Sequence, residues 1–190
     1  MRDDMPLHPR SHLPEAPHRA RPRRGTVVVT VALTVLIALT AGCTGDTVDA
    51  RQQLESRRSA AQAERDNLDL LTEVRAALSE VAPALRWRTP APAVESGSLC
   101  KKPFDTVEGA TSQVLESGGA FGAIPDADWP RAREAVRRVA AARGFGDEHT
   151  LKDAPGEHQM SLYDDDGAEL SVGTGVNTVA SIYGACHLEG

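Results

Sequence analysis

The residues best placed to do chemistry are a run of carboxylates, three histidines in the C-terminal third and three cysteines. Asp164-Asp165-Asp166-Gly167-Ala168-Glu169 gathers hard-cation ligands on one loop. It lacks the bidentate glutamate that closes a twelve-residue calcium loop, and Asp166-Gly167 is a tight-turn signal, so the segment is expected to be a hairpin turn without metal. His149, His158 and His187 do not share a metal-ligand spacing such as H-x-x-x-H. Neither a glycine-rich phosphate loop nor a G-x-S-x-G elbow occurs. No catalytic residue, metal or cofactor is therefore assigned. If the chain is an enzyme or an enzyme accessory, the residues to test are Asp164, Asp165, Asp166 and His158 meeting in a cleft over cell-wall material.

Cys43 carries a different chemistry. It ends an uncharged run from Thr26 to Gly42, preceded by a segment holding six arginines (Arg2, Arg10, Arg19, Arg21, Arg23 and Arg24). A basic region, an apolar region and small residues before a cleavage point are the three parts of a secretory signal. The apolar run is short for a transmembrane helix, which needs roughly 20 residues. Leu39-Thr40-Ala41-Gly42-Cys43 resembles a bacterial lipobox. That resemblance implies a diacylglycerol on the Cys43 sulfur, cleavage before Cys43, and anchorage on the extracytoplasmic face of the cell membrane. Thr40 departs from the branched apolar residue usual at its position. Residues 1–42 are thus read as a lipoprotein signal peptide.

Cys100 and Cys186 remain, and in an exported chain two cysteines read as one disulfide. Charge follows the same division. Six of the 21 basic and three of the 27 acidic residues precede Cys43, leaving 15 and 24, a formal charge of −9 on the mature part. That sign argues against nucleic acid, because phosphate binding needs clustered Lys and Arg. Aromatics are only 4% of the chain, so the core must be built mainly from Ala, Val and Leu.

The elements that would carry these residues are legible in part. Residues 46–81 lack Pro and Gly and are rich in helix formers. The first half, including Arg51–Arg58, has almost no apolar stripe, whereas Leu68, Leu71, Val74, Leu78 and Val81 recur at helical spacing. This predicts a polar stalk running into a docked helix. A proline-rich break follows at 83–103, so residues 43–97 are read as stalk and linker and 98–190 as the extracytoplasmic domain. Ser117–Gly122 is expected to be a loop. Residues 126–143 form the clearest helix. It has Asp128 as cap, Pro130 in the first turn, an apolar face of Trp129, Ala132, Val136, Val139 and Ala140, a Glu134–Arg138 pair, and a Gly144 terminus with Phe145 folding back. Alternation then predicts strands at 159–163, 169–172 and 176–183, with an edge strand near 150–152. The fold class is α+β: a small antiparallel sheet covered by one or two helices, preceded by a helical stalk.

The lipobox, Cys100, Trp129 opening a helix, Gly144-Phe145, Asp166-Gly167 and the Gly184-Ala185-Cys186 ending together resemble LppA-type lipoproteins of mycobacteria and related actinobacteria over about residues 98–188. A Thr-Gly-Cys ending is the family pattern, from which Gly-Ala-Cys departs. Abundant Arg with only three lysines (Lys101, Lys102 and Lys152) agrees with the codon usage of such a source. The resemblance implies fold and location, and no activity. The function expected is a membrane-anchored, non-enzymatic module that meets an envelope protein or glycan. An enzyme or accessory acting on cell-wall material is the alternative, and a small-lipid carrier is a third.

Overall fold

Ser56-Arg57-Arg58-Ser59 divides what composition reads as one helix. The computed structural model describes residues 45–190, with side chains from residue 48 onward; the signal-peptide reading of 1–42 and the lipidation of Cys43 lie outside the described residues. Helix α1 spans Gly45–Glu55 and α2 spans Ala60–Val81. Ser59 sits in extended backbone and its hydroxyl accepts the Gln62 amide at 3.3 Å, an N-cap that starts α2 afresh.

The stalk expectation is corrected here. In α1, Ala50 and Leu54 are buried, and these two residues suffice to seat a helix that has no continuous apolar stripe. In α2, Leu70, Leu71, Val74 and Leu78 are fully buried in the main core. The helical lead-in is therefore part of the layered domain, and the core continues through Ala82 and Leu85 into the proline-rich segment.

The sheet is also larger than expected. It has nine strands: β1 (Arg86–Trp87), β2 (Ala93–Ser98), β3 (Ala110–Glu116), β4 (Ala120–Phe121), β5 (Asp147–Ala154), β6 (Glu157–Tyr163), β7 (Glu169–Thr174), β8 (Asn177–Tyr183) and β9 (His187–Leu188). Strands β5 to β8 are consecutive antiparallel neighbours. On its other side β8 pairs with β4 along its first residues and with β3 along its last. β1 lies outside β4, β2 lies outside β3, and β9 continues beside β3. Three of these strands, β1, β2 and β4, come from segments that local signals read as break or loop: β1 and β4 span only two positions, and β2 becomes a strand through its pairing with β3.

Helix α3 covers Trp129–Ala141. Pro130 occupies its first turn as expected. Asp128 does not cap it: its carboxylate turns to Arg131 at 3.1 Å. Glu134 pairs with Arg137 at 3.1 Å rather than with Arg138. At the other end Gly144 has φ +86° and the Phe145 amide donates to Ala140 at 3.1 Å, the six-to-one bond of a Schellman turn, which drops Phe145 into the core.

Helices α2 and α3 pack on one face of the sheet. Leu115, Met160, Leu162, Leu170, Val172, Ala180 and Ile182 face them and are buried. These residues fill the interface with Val136, Ala140 and the leucines of α2, so the space that a lipid carrier needs between helix and sheet is occupied by side chains. Among the described residues no helix lies on the opposite face, and it is there that the polar residues of the strands point.

Candidate functional site

Strand register fixes which residues share the uncovered face. One row runs Asp147, Tyr163, Glu169, Tyr183, Val114 and Ser96 across six strands. The adjacent row runs His149, Ser161, Ser171, Ser181 and Glu116. Ser161 donates to Glu169 Oε1 at 2.5 Å, and Gln159 donates to Ser171 at 3.2 Å. Burial first, then the Glu169 carboxylate, pushes the Tyr163 phenol above its ordinary range.

A wall rises over one end of these rows. The segment from Ser98 to Phe104 folds across the sheet and is held there by the Cys100–Cys186 disulfide, whose Cα atoms lie 5.7 Å apart. The result is a cleft of about 480 Å³ lined by Leu99, Lys101, Lys102, Phe104, Tyr163, Glu169 and Tyr183, among others. Leu99 is 93% exposed and Tyr183 52%.

Arg57 buttresses the wall from behind. Its side chain is 8% exposed, pairs with Asp166 at 3.0 Å, donates to the Cys186 carbonyl at 3.0 Å and lies 4.9 Å above the Phe104 ring. The elbow between α1 and α2 therefore holds both the cleft wall and the turn between β6 and β7.

The acidic run is that turn. Asp164 accepts the amides of Asp166 and Ala168 at 3.1 and 2.7 Å, and Gly167 supplies φ +90°. Arg57 and Arg58 reach Asp166 and Asp164, so the calcium ligands of the alternative reading are engaged as ion-pair partners. Among the described residues no group of three or more His, Cys, Asp or Glu is arranged to hold a metal ion.

The three histidines are apart. His149 is exposed beside Asp147 and meets Tyr163 edge to face. His158 is buried against Trp129, ring centroids 5.1 Å apart and nearly parallel, with Nδ1 2.7 Å from Asp153 and Nε2 3.1 Å from Asp126. The Gly156 amide first, and His158 second, hold the Asp126 carboxyl below its usual range. This clasp ties the β5–β6 hairpin to the start of α3. His158 opens β6 and Asp164 follows its end, about 20 Å away at strand rise, so the structure does not bring them into one catalytic cleft.

His187 is 3% exposed and its Nδ1–H donates to the Arg58 carbonyl at 3.0 Å, leaving Nε2 buried without a partner. Burial, the largest cause, pushes its pKa down. A folded-state pKa below the unfolded value of about 6.5 means that the unfolded chain binds more protons, so stability is full above that pH and falls as the pH drops below it. An NMR titration is expected to place the His187 midpoint below its ordinary value of about 6.5. A midpoint at or above 6.5 would contradict the burial argument.

The Ser117–Gly122 segment, expected to be a loop, is consumed by structure. Ala120 and Phe121 form β4, and a side chain on Gly118 would collide with Thr89. The cleft residues Tyr163, Glu169 and Tyr183 were not singled out by sequence. Alternation places each on one side of its own strand, but nothing local says which side lacks a covering helix.

Three comparisons complete the site. A family model described as "LppA: Lipoprotein confined to pathogenic Mycobacterium" matches residues 40–190. No curated protein matches. Among solved structures, a crystal structure of LppA from Mycobacterium tuberculosis, described as a candidate lipoprotein, aligns with TM-score 0.53 and 19% identity, covering 77% of this chain and 88% of that one. At that identity the likeness concerns the fold.

Proposed function

We propose, on the premise that this chain belongs to the LppA lipoprotein family, that it is a non-enzymatic binding module held on the extracytoplasmic face of the cell membrane by a lipid on Cys43. Residues 1–42 act as the signal peptide that delivers it. The face of the sheet opposite the helices is its working surface, and the partner is an envelope component, protein or glycan.

The observation that carries this reading is the cleft. A disulfide-held wall, two tyrosines and a hydrogen-bonded carboxylate converge on the face of the sheet opposite α2 and α3. Convergent polar groups in a concavity are the mark of a ligand site. The enzyme alternative lacks such support, because its named residues stand at opposite ends of β6. Family membership supports membrane association. Among the described residues no helix is long and apolar enough to cross a membrane; the lipobox-like Leu39–Cys43 is what supports attachment through a lipid.

Tyr163 and Tyr183 are the chain's only tyrosines, which makes the cleft chemically addressable. Iodination of the full chain is expected to label both in detergent and to spare both in the native envelope. Equal labelling in the two settings would contradict a bound partner on this face.

A further inference from the structure

The distribution of aromatic residues is the least economical feature of this domain. The chain has seven: Trp87, Trp129, Phe104, Phe121, Phe145, Tyr163 and Tyr183. A domain so poor in aromatics would stabilise itself most by burying all of them. Only Phe145 and Trp129 lie in the core, with Trp87 packed against it. Phe104, Tyr163 and Tyr183 line the cleft, and Phe121, paired with Asn177 of β8, is 58% exposed on the same face.

We propose that this cleft takes a short, weakly charged oligosaccharide of the cell envelope. This rests on the reading above that the cleft is the binding side. Tyr163 and Tyr183 stand in one row with Glu169 between them, two strand spacings apart, about 10 Å. Each ring offers a flat apolar face with a polar tip, the complement of a sugar ring with its C–H face and hydroxyl rim. Glu169, already fixed by the Ser161 hydroxyl, offers acceptor oxygens between the two platforms. In the adjacent row Ser181 is half-buried and adds a hydroxyl alongside, while Ser171 is buried and accepts from Gln159. Lys101 and Lys102 are balanced by Asp166 and Glu169 in the lining, so no net sign selects a strongly ionic ligand. The volume, about 480 Å³, suits a short oligosaccharide.

The same geometry disfavours an extended peptide. Peptides that bind sheets add a strand to an edge and gain backbone hydrogen bonds there. Over the face of β6, β7 and β8 those groups are already committed to the ladder. A glycan needs no such bonds.

The test uses the full chain in detergent micelles and size-fractionated oligosaccharides released by mild acid from protein-free envelope. Saturable binding is expected. Tyr163→Ala and Tyr183→Ala should each weaken it roughly tenfold, whereas the phenylalanine variants, which keep the stacking face, should stay within about threefold. No saturable binding, or affinities unchanged in both alanine variants, would overturn the glycan assignment. Repeating the iodination on envelope digested with glycosidases separates the two levels. Tyrosines that become reactive after glycosidase treatment support the glycan. Tyrosines that stay protected until a protease is added show an occupied cleft with a protein in it, which overturns this inference and leaves the binding reading standing. Tyrosines reactive from the outset contradict both.

Discussion

Replacing Cys100 and Cys186 together by serine is expected to lower the unfolding free energy by about 4 kcal/mol. The disulfide closes a loop with a sequence separation of 86, and the chain-entropy relation for that length gives about 4.5 kcal/mol. Loss of native contacts adds little, because Leu99 and Lys101 on either side of Cys100 are already exposed. Against a domain stability of about 5–15 kcal/mol, this is a large share. Chemical denaturation should show a lower midpoint and a steeper slope, because the unlinked denatured chain exposes more surface. A change under about 1 kcal/mol would mean that Arg57, which grips the Cys186 carbonyl, Phe104 and Asp166, holds the wall alone.

How much of this arrangement the sequence displays can be judged element by element. Helix α3, with its Gly144 terminus, and the three C-terminal strands are legible because their signals are local: helical periodicity, alternation and the Asp-Gly turn. The disulfide is legible because an exported chain with two remaining cysteines offers one pairing. The break at Ser56–Ser59 is visible afterwards as a serine cap, but helix-forming composition on both sides masks it. Helix α1 reads as stalk because two buried residues, Ala50 and Leu54, make no periodic stripe. Strands β3, β4 and β9 escape because their stability lies in distant partners: Ala110 finds Leu188, and Ala120 finds Thr178; β2 escapes because it lies in a segment whose prolines read as a break. The cleft is hidden for the same reason. Tyr163 and Tyr183 are ordinary strand residues until β7 sets them in one row and the disulfide folds Ser98–Phe104 over them.

Among the described residues no stalk stands between the domain and the proposed lipid. Helix α1 starts at Gly45 and is seated on the domain through Ala50 and Leu54. Only Cys43 and Thr44 separate an acylated terminus from that helix, and two extended residues reach about 7 Å. The proposed anchor therefore holds the domain close to the bilayer surface. Each buried methylene contributes about 0.8 kcal/mol, so two or more acyl chains give lasting attachment without help from the acidic surface.

The largest effect is consequently expected from Cys43→Ala, read by intact mass and by partitioning between detergent and aqueous phases. The wild type should begin at a diacylated Cys43, lack residues 1–42 and enter the detergent phase, while the variant should lose the lipid mass and its anchorage through Cys43. A wild type that retains residues 1–42, or one that is cut at Cys43 but carries no lipid and stays aqueous, would contradict the assignment of this chain as a lipid-anchored module.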